Sequence, residues 1–216
     1  MLRDDLRNNH VTLIGKLIVP PTFVCTHNGS KYYDGLVKVY RKSGSYDEVP
    51  ITTTERLANA ICASAREHPG ADIVIEGKIT TRGINLRTRT ALRYPMVVEV
   101  EEVCLNLGNA NPVNDVEIKG HLCENPLCRI TPSGLKICEL TIAIPKSHGR
   151  DIPQDYIRCI TWNGTARFAS RLYVGAFVKG VGRFQSREYM KILDNGSEVK
   201  RTAYEVSLYA MADARA

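Results

Sequence analysis

Two short motifs occur twice in this chain at one spacing, and that limits its possible folds more than any other feature. Asn9-His10-Val11-Thr12-Leu13-Ile14-Gly15-Lys16-Leu17 returns as Asn114-Asp115-Val116-Glu117-Ile118-Lys119-Gly120-His121-Leu122, a shift of 105 positions (114 less 9). The same shift carries Gly77-Lys78-Ile79-Thr80-Thr81-Arg82 onto Gly182-Arg183-Phe184-Gln185-Ser186-Arg187. Two separated motifs at one offset imply two copies of one unit. The expected domains are 8–107 and 113–213, joined by the turn-forming stretch Gly108-Asn109-Ala110-Asn111-Pro112. A chain of 216 residues suits two domains of about 100 residues each.

Within the first copy, His10 to Ile18, Tyr33 to Arg41 and Glu48 to Thr52 have the alternation of strands. Thr52 and Glu55 have the spacing of a capping box, and Leu57, Ala60, Ile61 and Ala65 form an apolar helical stripe that stops at Pro69-Gly70. Strands follow near Asp72 to Arg82 and Leu92 to Val103. In the second copy the strands are Val116 to Leu122, Gly134 to Ile144 and Tyr156 to Trp162. A shorter helix from Thr165 carries Phe168 and Leu172 four apart and ends at Gly175. Ala176 to Tyr189 and Arg201 to Met211 close the set across Asp194-Asn195-Gly196, a hairpin signal. Three strands, a helix and a hairpin in about 100 residues is the order of the five-stranded OB barrel. The expected class is mainly β: two tandem OB-fold barrels, each with one helix between strands 3 and 4.

On the strand from Gly182, Arg183, Gln185, Arg187 and Tyr189 share one side and Phe184 turns to the other. A basic face ending in an aromatic ring suits a polyanion with flat bases, which describes unpaired nucleic acid better than duplex. It also suits an ordinary solvated strand. The excess of 29 Lys and Arg over 23 Asp and Glu permits an anionic partner without requiring one. Hydrophobic residues make up 44% of the chain, enough for packed cores. Seven cysteines at irregular spacing give neither a disulfide framework nor paired zinc-ligand spacing, so ordinary thiols and no metal are expected. Met1 to His10 is charged, and no apolar run approaches the roughly 20 residues that span a bilayer. The expectation is an unexported, cytoplasmic protein with no membrane partner.

The second copy resembles the bacterial single-stranded-DNA-binding protein family along nearly its whole length. The carrying segments are Asn114 to Leu122, Thr131-Pro132-Ser133-Gly134 leading into Leu140-Thr141-Ile142-Ala143, Asp155 to Trp162, Gly182 to Arg187 and Thr202 to Val206. The resemblance implies bases stacked on Tyr156, Trp162 and Tyr189. It implies phosphate contacts from Arg158, Arg183 and Arg187, with Lys146 and Arg150 on the loop before the middle strand. His148 stands where the family has a further aromatic.

The first copy matches less closely, with Ile84 where the second has Tyr189 and no tryptophan. Lys78, Arg82, Arg87, Arg89 and Arg93 make a basic arm that is a candidate for phosphates, and Tyr32, Tyr33, Tyr40 and Tyr46 are candidate stackers. The family's acidic tip, which recruits replication enzymes, has no counterpart in Met211 to Ala216, so such recruitment is not expected. The resemblance further implies a homodimer of four barrels.

The function expected is sequence-independent binding of single-stranded DNA in replication, recombination or repair, close to the nucleoid. RNA is the alternative ligand, and an oligomeric adaptor acting through protein partners is the alternative function. Stacking and phosphate neutralisation read no bases, so no cofactor is called for. Five scattered histidines, no phosphate loop and no recurring carboxylate pair argue against an enzyme.

Overall fold

The computed structural model describes residues 8–82, 94–106, 111–146 and 154–215, without the side chains of Leu105 and Asn106. Arg87, Arg89, Arg93 and Ile84 of the basic arm, and His148 and Arg150 of the loop before the middle strand, lie outside the described residues.

The first five strands are β1 (Asn9–His27), β2 (Ser30–Tyr40), β3 (Tyr46–Thr54), β4 (Asp72–Thr81) and β5 (Met96–Asn106), with helix α1 (Glu55–Glu67) between β3 and β4. β1 pairs with β2, β2 with β3, β3 in parallel with β5, β5 with β4, and β4 again with β1, which closes a barrel. The second set is β6 (Val113–Leu122), β7 (Leu127–Ile130), β8 (Lys136–Pro145), β9 (Gln154–Trp162), α2 (Asn163–Ala169), β10 (Phe177–Ile192) and β11 (Glu198–Asp213). It closes through β6, β8, β9, β11 and β10 in the same sense, with the β9–β11 pair parallel. Closure leaves each barrel without a free edge on those five strands, and apolar side chains alternate inward along them. Val11, Leu13, Ile75 and Ile79 fill one interior, and Ile118, Ile142, Ile157 and Phe184 fill the other.

Helix α1 buries Leu57, Ala58 and Ile61, so Ala58 takes the place expected for Ala60, which is exposed. The expected capping box is not formed. Thr54 is the N-cap, without a side-chain cap bond. The Glu55 carboxylate instead accepts from Lys31 Nζ at 2.9 Å and the Tyr33 hydroxyl at 3.1 Å. The second helix begins at Asn163 and ends at Ala169, shorter than the expected run to Gly175, because Leu172 already belongs to the turn that follows. Gly196 sits at φ +78° in the β10–β11 turn, where a positive φ favours glycine.

β7 was not expected. Its pairing puts Cys128 directly opposite Cys138 on β8, and the two are joined in a disulfide, whereas the irregular cysteine spacing had suggested thiols only. No helix among the described residues is long and apolar enough to cross a membrane.

The barrels share an extended junction. β1 and β6 run antiparallel with Asn9 opposite Ile118, Val11 opposite Val116 and Ile14 opposite Val113. Asn9 holds the backbone of Ile79 with both ends of its amide, at 2.7 and 2.9 Å, and Asn114 does the same to Phe184 at 2.8 and 2.9 Å. Asp47 on β3 accepts from the Ser186 amide of the other barrel at 3.3 Å. Asp155 on β9 accepts from the Thr81 amide at 2.5 Å, and Ser186 lies 105 positions after Thr81. Tyr204 of β11 meets Tyr94 edge-on at 5.9 Å and packs on the cluster of Leu36 and Val97.

Candidate nucleic-acid interface

Strand β9 alternates, burying Asp155, Ile157 and Cys159 and exposing Gln154, Tyr156 and Arg158. Tyr156 is 55% exposed, Tyr189 40% and Trp162 37%, so none of the three rings is consumed by barrel packing. Tyr156 and Arg158 on β9 and Arg187 and Tyr189 on β10 line one groove of about 810 Å³. Thr141 of β8, Leu127 of β7 and Thr81 of the first barrel complete its walls. Trp162 has the same strand parity as Tyr156 and Arg158 but lies at the far end of β9, outside the groove lining, where it caps α2.

The groove contains carboxylates as well as cations. Glu139 is taken by Arg129 at 2.5 Å, Glu124 accepts the Thr141 hydroxyl at 2.8 Å, and Glu205 accepts from Gln185 Nε2 at 3.1 Å. Arg187 lies 3.6 Å from Glu205 and 5.9 Å over the ring of Tyr189, with its side chain half-exposed. Arg158 is exposed and has no ion-pair partner among the described residues. Arg187 keeps its exposed side towards water and pairs with the mostly buried Glu205 at 3.6 Å, so a phosphate can compete for this cation.

The other expected phosphate ligands are placed elsewhere. Arg183 shares the strand face of Arg187, but Gln185 between them is buried, and Arg183 sits in the barrel junction 3.6 Å from buried Asp47. Lys146 is bound to Asp155 at 3.1 Å, to the Thr80 hydroxyl at 3.1 Å and to the Thr81 carbonyl at 3.3 Å, so it belongs to the junction rather than to a free loop. Arg82 makes a forked pair with Asp34 at 2.6 and 2.8 Å, nearly out of water, and is held by a carboxylate rather than open to phosphate. Lys78 lies between Glu99 at 3.5 Å and Glu101 at 3.6 Å.

Among the described residues, the face of the first barrel corresponding to the groove shows no stacking pair. The Glu48 amide donates to the Ser186 hydroxyl as the Tyr156 amide donates to that of Thr81, so Glu48 holds the place of that tyrosine. Tyr33 is engaged with Glu55 and meets Phe23 edge-on at 5.7 Å. Tyr40 and Tyr46 are exposed, 6.1 Å apart and edge-on, with Lys38 4.1 Å over the ring of Tyr46.

Sequence reasoning missed Leu127, which is 67% exposed beside the groove, and the contribution of Thr81, Pro95 and Met96 from the first barrel. The short Leu127–Ile130 strand after Pro126 has little periodicity, and contacts between barrels leave no local pattern.

A family model described as the single-strand binding protein family matches residues 113–212. Single-stranded DNA-binding protein B of Bacillus subtilis (strain 168) is 33% identical over 81 residues, which cover 35% of this chain and 71% of that protein. A single-stranded DNA-binding protein of Streptococcus pyogenes serotype M1 is 28% identical over 108 residues, covering 48% of this chain and 65% of that protein, slightly under two thirds of its length. The solved wild-type single-stranded DNA binding protein of Thermus aquaticus superposes with a TM-score of 0.71 over 95% of this chain and 92% of that one. At 20% identity that likeness speaks to fold, and its extent takes in both barrels. With the second barrel matched by the family model and a curated relative covered over more than two thirds of its length, this chain belongs to the single-strand binding protein family.

Proposed function

We propose that the chain binds single-stranded DNA through the second barrel, stacking bases on Tyr156 and Tyr189 and neutralising the backbone with Arg158 and Arg187. The observation that carries this reading is the groove itself: two exposed rings from different strands beside two cations, one of them unpaired among the described residues. Stacking contributes about 1 to 3 kcal/mol per base whatever the base, and phosphate neutralisation is equally blind to sequence. Binding is therefore tolerant of sequence and sensitive to salt, as coating of exposed strands in replication, recombination or repair requires. Trp162, further along the same side of β9, extends the stacking path.

Residues 8–107 and 113–213 are taken as the two domains, and two chains as a homodimer of four barrels. The same stacking surface accepts either sugar, so RNA competes as a ligand. The protein acts in the cytoplasm beside the chromosome.

Titration with oligo-dT at micromolar protein, following the emission of Trp162, tests the proposal. Quenching that is reversed by salt is expected. Emission and mobility unchanged by oligo-dT would overturn it in favour of a protein-binding adaptor. Competition with oligo-U ranks the sugars, and light scattering reports the mass of the assembly.

A further inference from the structure

The barrel junction contains one charge cluster built twice, and the two copies do not balance alike. On one side Asp155 faces a single cation, Lys146, and accepts from the Thr81 amide at 2.5 Å and the Thr80 and Thr81 hydroxyls at 3.0 Å each. Lys78, which occupies the position of Arg183 in the first copy, turns away to Glu99 and Glu101. On the other side Asp47, fully buried, faces two guanidinium groups. Arg41 donates to it through Nε at 2.8 Å and through Nη2, while Arg183 Nε stands 3.6 Å away, buried and without a hydrogen-bond partner. Arg183 bonds Gln185 Oε1 through Nη2 at 2.7 Å, which adds no negative charge. One carboxylate cannot neutralise both cations.

Burial, followed by the positive charge of Arg41, holds the Arg183 guanidinium below its ordinary range, with Asp47 opposing the shift. This surplus cation opens onto a cleft of about 490 Å³ that shares no lining residue with the Tyr156 groove. Lys42 adds an exposed cation beside the half-buried Arg183, and the exposed Tyr40 and Tyr209 line the same cleft. The neighbouring carboxylates are Asp115 and Glu117, which, after burial, push the Tyr209 hydroxyl up and keep its ring neutral.

We propose that this junction cleft is a second anion site, taking a phosphate group on Arg183 and Lys42 between the rings of Tyr40 and Tyr209. The phosphate is that of a nucleic-acid backbone leaving the Tyr156 groove, an assignment that rests on the single-strand reading above; free inorganic phosphate shares the chemistry. Among the described residues only the second barrel has the stacking groove, and a strand longer than that groove needs a further cationic foothold on the chain.

The test compares Lys42→Ala and the double variant Lys42→Ala with Arg183→Gln against the unchanged protein. Oligo-dT of about 8 and about 35 nucleotides spans one and several barrel-sized sites. The double variant should bind the long strand about tenfold more weakly, with a salt slope reduced by about one to two, and the short strand within about twofold of the unchanged protein. Lys42 is exposed, so its single variant keeps the fold and should show part of the same loss. In a second arm, inorganic phosphate is compared with chloride at fixed ionic strength by thermal melting. Phosphate that raises the midpoint of the unchanged protein but not of the double variant, with no effect of strand length, assigns the site to free phosphate. Unchanged long-strand affinity together with no phosphate effect overturns the site. Tyr156→Ala, run in parallel, weakens both strand lengths if the groove reading holds. If it weakens neither, that reading fails while the phosphate arm still judges the cleft.

Discussion

Val11 and Val116 lie opposite each other where β1 pairs with β6, and they occupy the same position of the two sequence copies, 105 residues apart. An antiparallel pairing centred on equivalent residues is the arrangement a two-fold axis produces between identical chains. Here it joins two halves of one chain. The Asn9 and Asn114 bonds and the Asp47 and Asp155 reaches fall on either side of that centre.

The junction should therefore be sensitive to loss of either aspartate. Asp155 is buried and accepts three hydrogen bonds from Thr80 and Thr81 besides the Lys146 pair. Asp155→Ala strands those donors and is expected to cost about 3 to 5 kcal/mol in urea unfolding, and Asp155→Asn distinctly less. Both variants remove the charge and only the asparagine keeps an acceptor oxygen, so equal costs would mean that the charge, and not the hydrogen bonds from Thr80 and Thr81, carries the effect.

Arg82 and Arg187 are equivalent in sequence but should respond oppositely. Removing Arg82 leaves Asp34 buried and unpaired, so Arg82→Ala should lose about 3 to 5 kcal/mol of stability. The strand affinity of the folded fraction should stay within about twofold. Arg187→Ala should leave stability within about 1 kcal/mol, since Arg187 is itself half-exposed and 3.6 Å from Glu205, and Glu205 keeps its bond from Gln185. It should lower the salt slope of DNA binding by about one. Unfolding curves and salt titrations of both variants decide this, and the reverse pattern would move the phosphate contact to Arg82.

Gly182 marks a bulge where β10 passes close to β11. An added Cβ would meet the Ser207 carbonyl oxygen at 2.4 Å and the Leu208 Cα at 2.9 Å, both backbone. Gly182→Ala should cost about 1 to 3 kcal/mol, while Gly180→Ala, whose neighbours are side-chain atoms of Leu208 that can shift by rotation, should cost less. Thermal melts of the two variants check the order.

Burial in the second core pushes the Cys159 thiol up from its ordinary 9.0, with Glu205 adding to the shift. The unfolded chain therefore releases this proton first. The contribution is fully present below pH 9.0 and is lost as pH rises beyond it, by up to about 1.4 kcal/mol per pH unit. Cys159→Ala should lose less stability than the unchanged protein between pH 8 and pH 10, although it starts lower because of the cavity. Parallel pH profiles would refute the assignment.

Much of the fold was legible because alternation and turn residues are local properties. The strands from Asp72, from Tyr156 and across Asp194-Asn195-Gly196 begin or turn close to where their apolar periods and turn residues placed them. The ring of Tyr189 was legible because strand parity fixes the side of the sheet a residue occupies, and that of Tyr156 through the resemblance of the second copy to the single-stranded-DNA-binding family. The partners of Arg82 and Arg183 were not, because Asp34 and Asp47 lie far away in sequence, and neither were Thr80 and Thr81, which hold Lys146 from the other barrel.

The sequence by itself determined that the chain holds two related barrels and which aromatic residues could face a ligand, since repeat spacing and strand period need no partner. Tertiary structure alone decided which cations remain open. Closing each barrel and packing β1 on β6 brought buried carboxylates against Lys146, Arg82 and Arg41, and a buried carboxylate takes the nearest cation. That left Arg158 and Arg187 beside the exposed rings, and an unmatched guanidinium at Asp47.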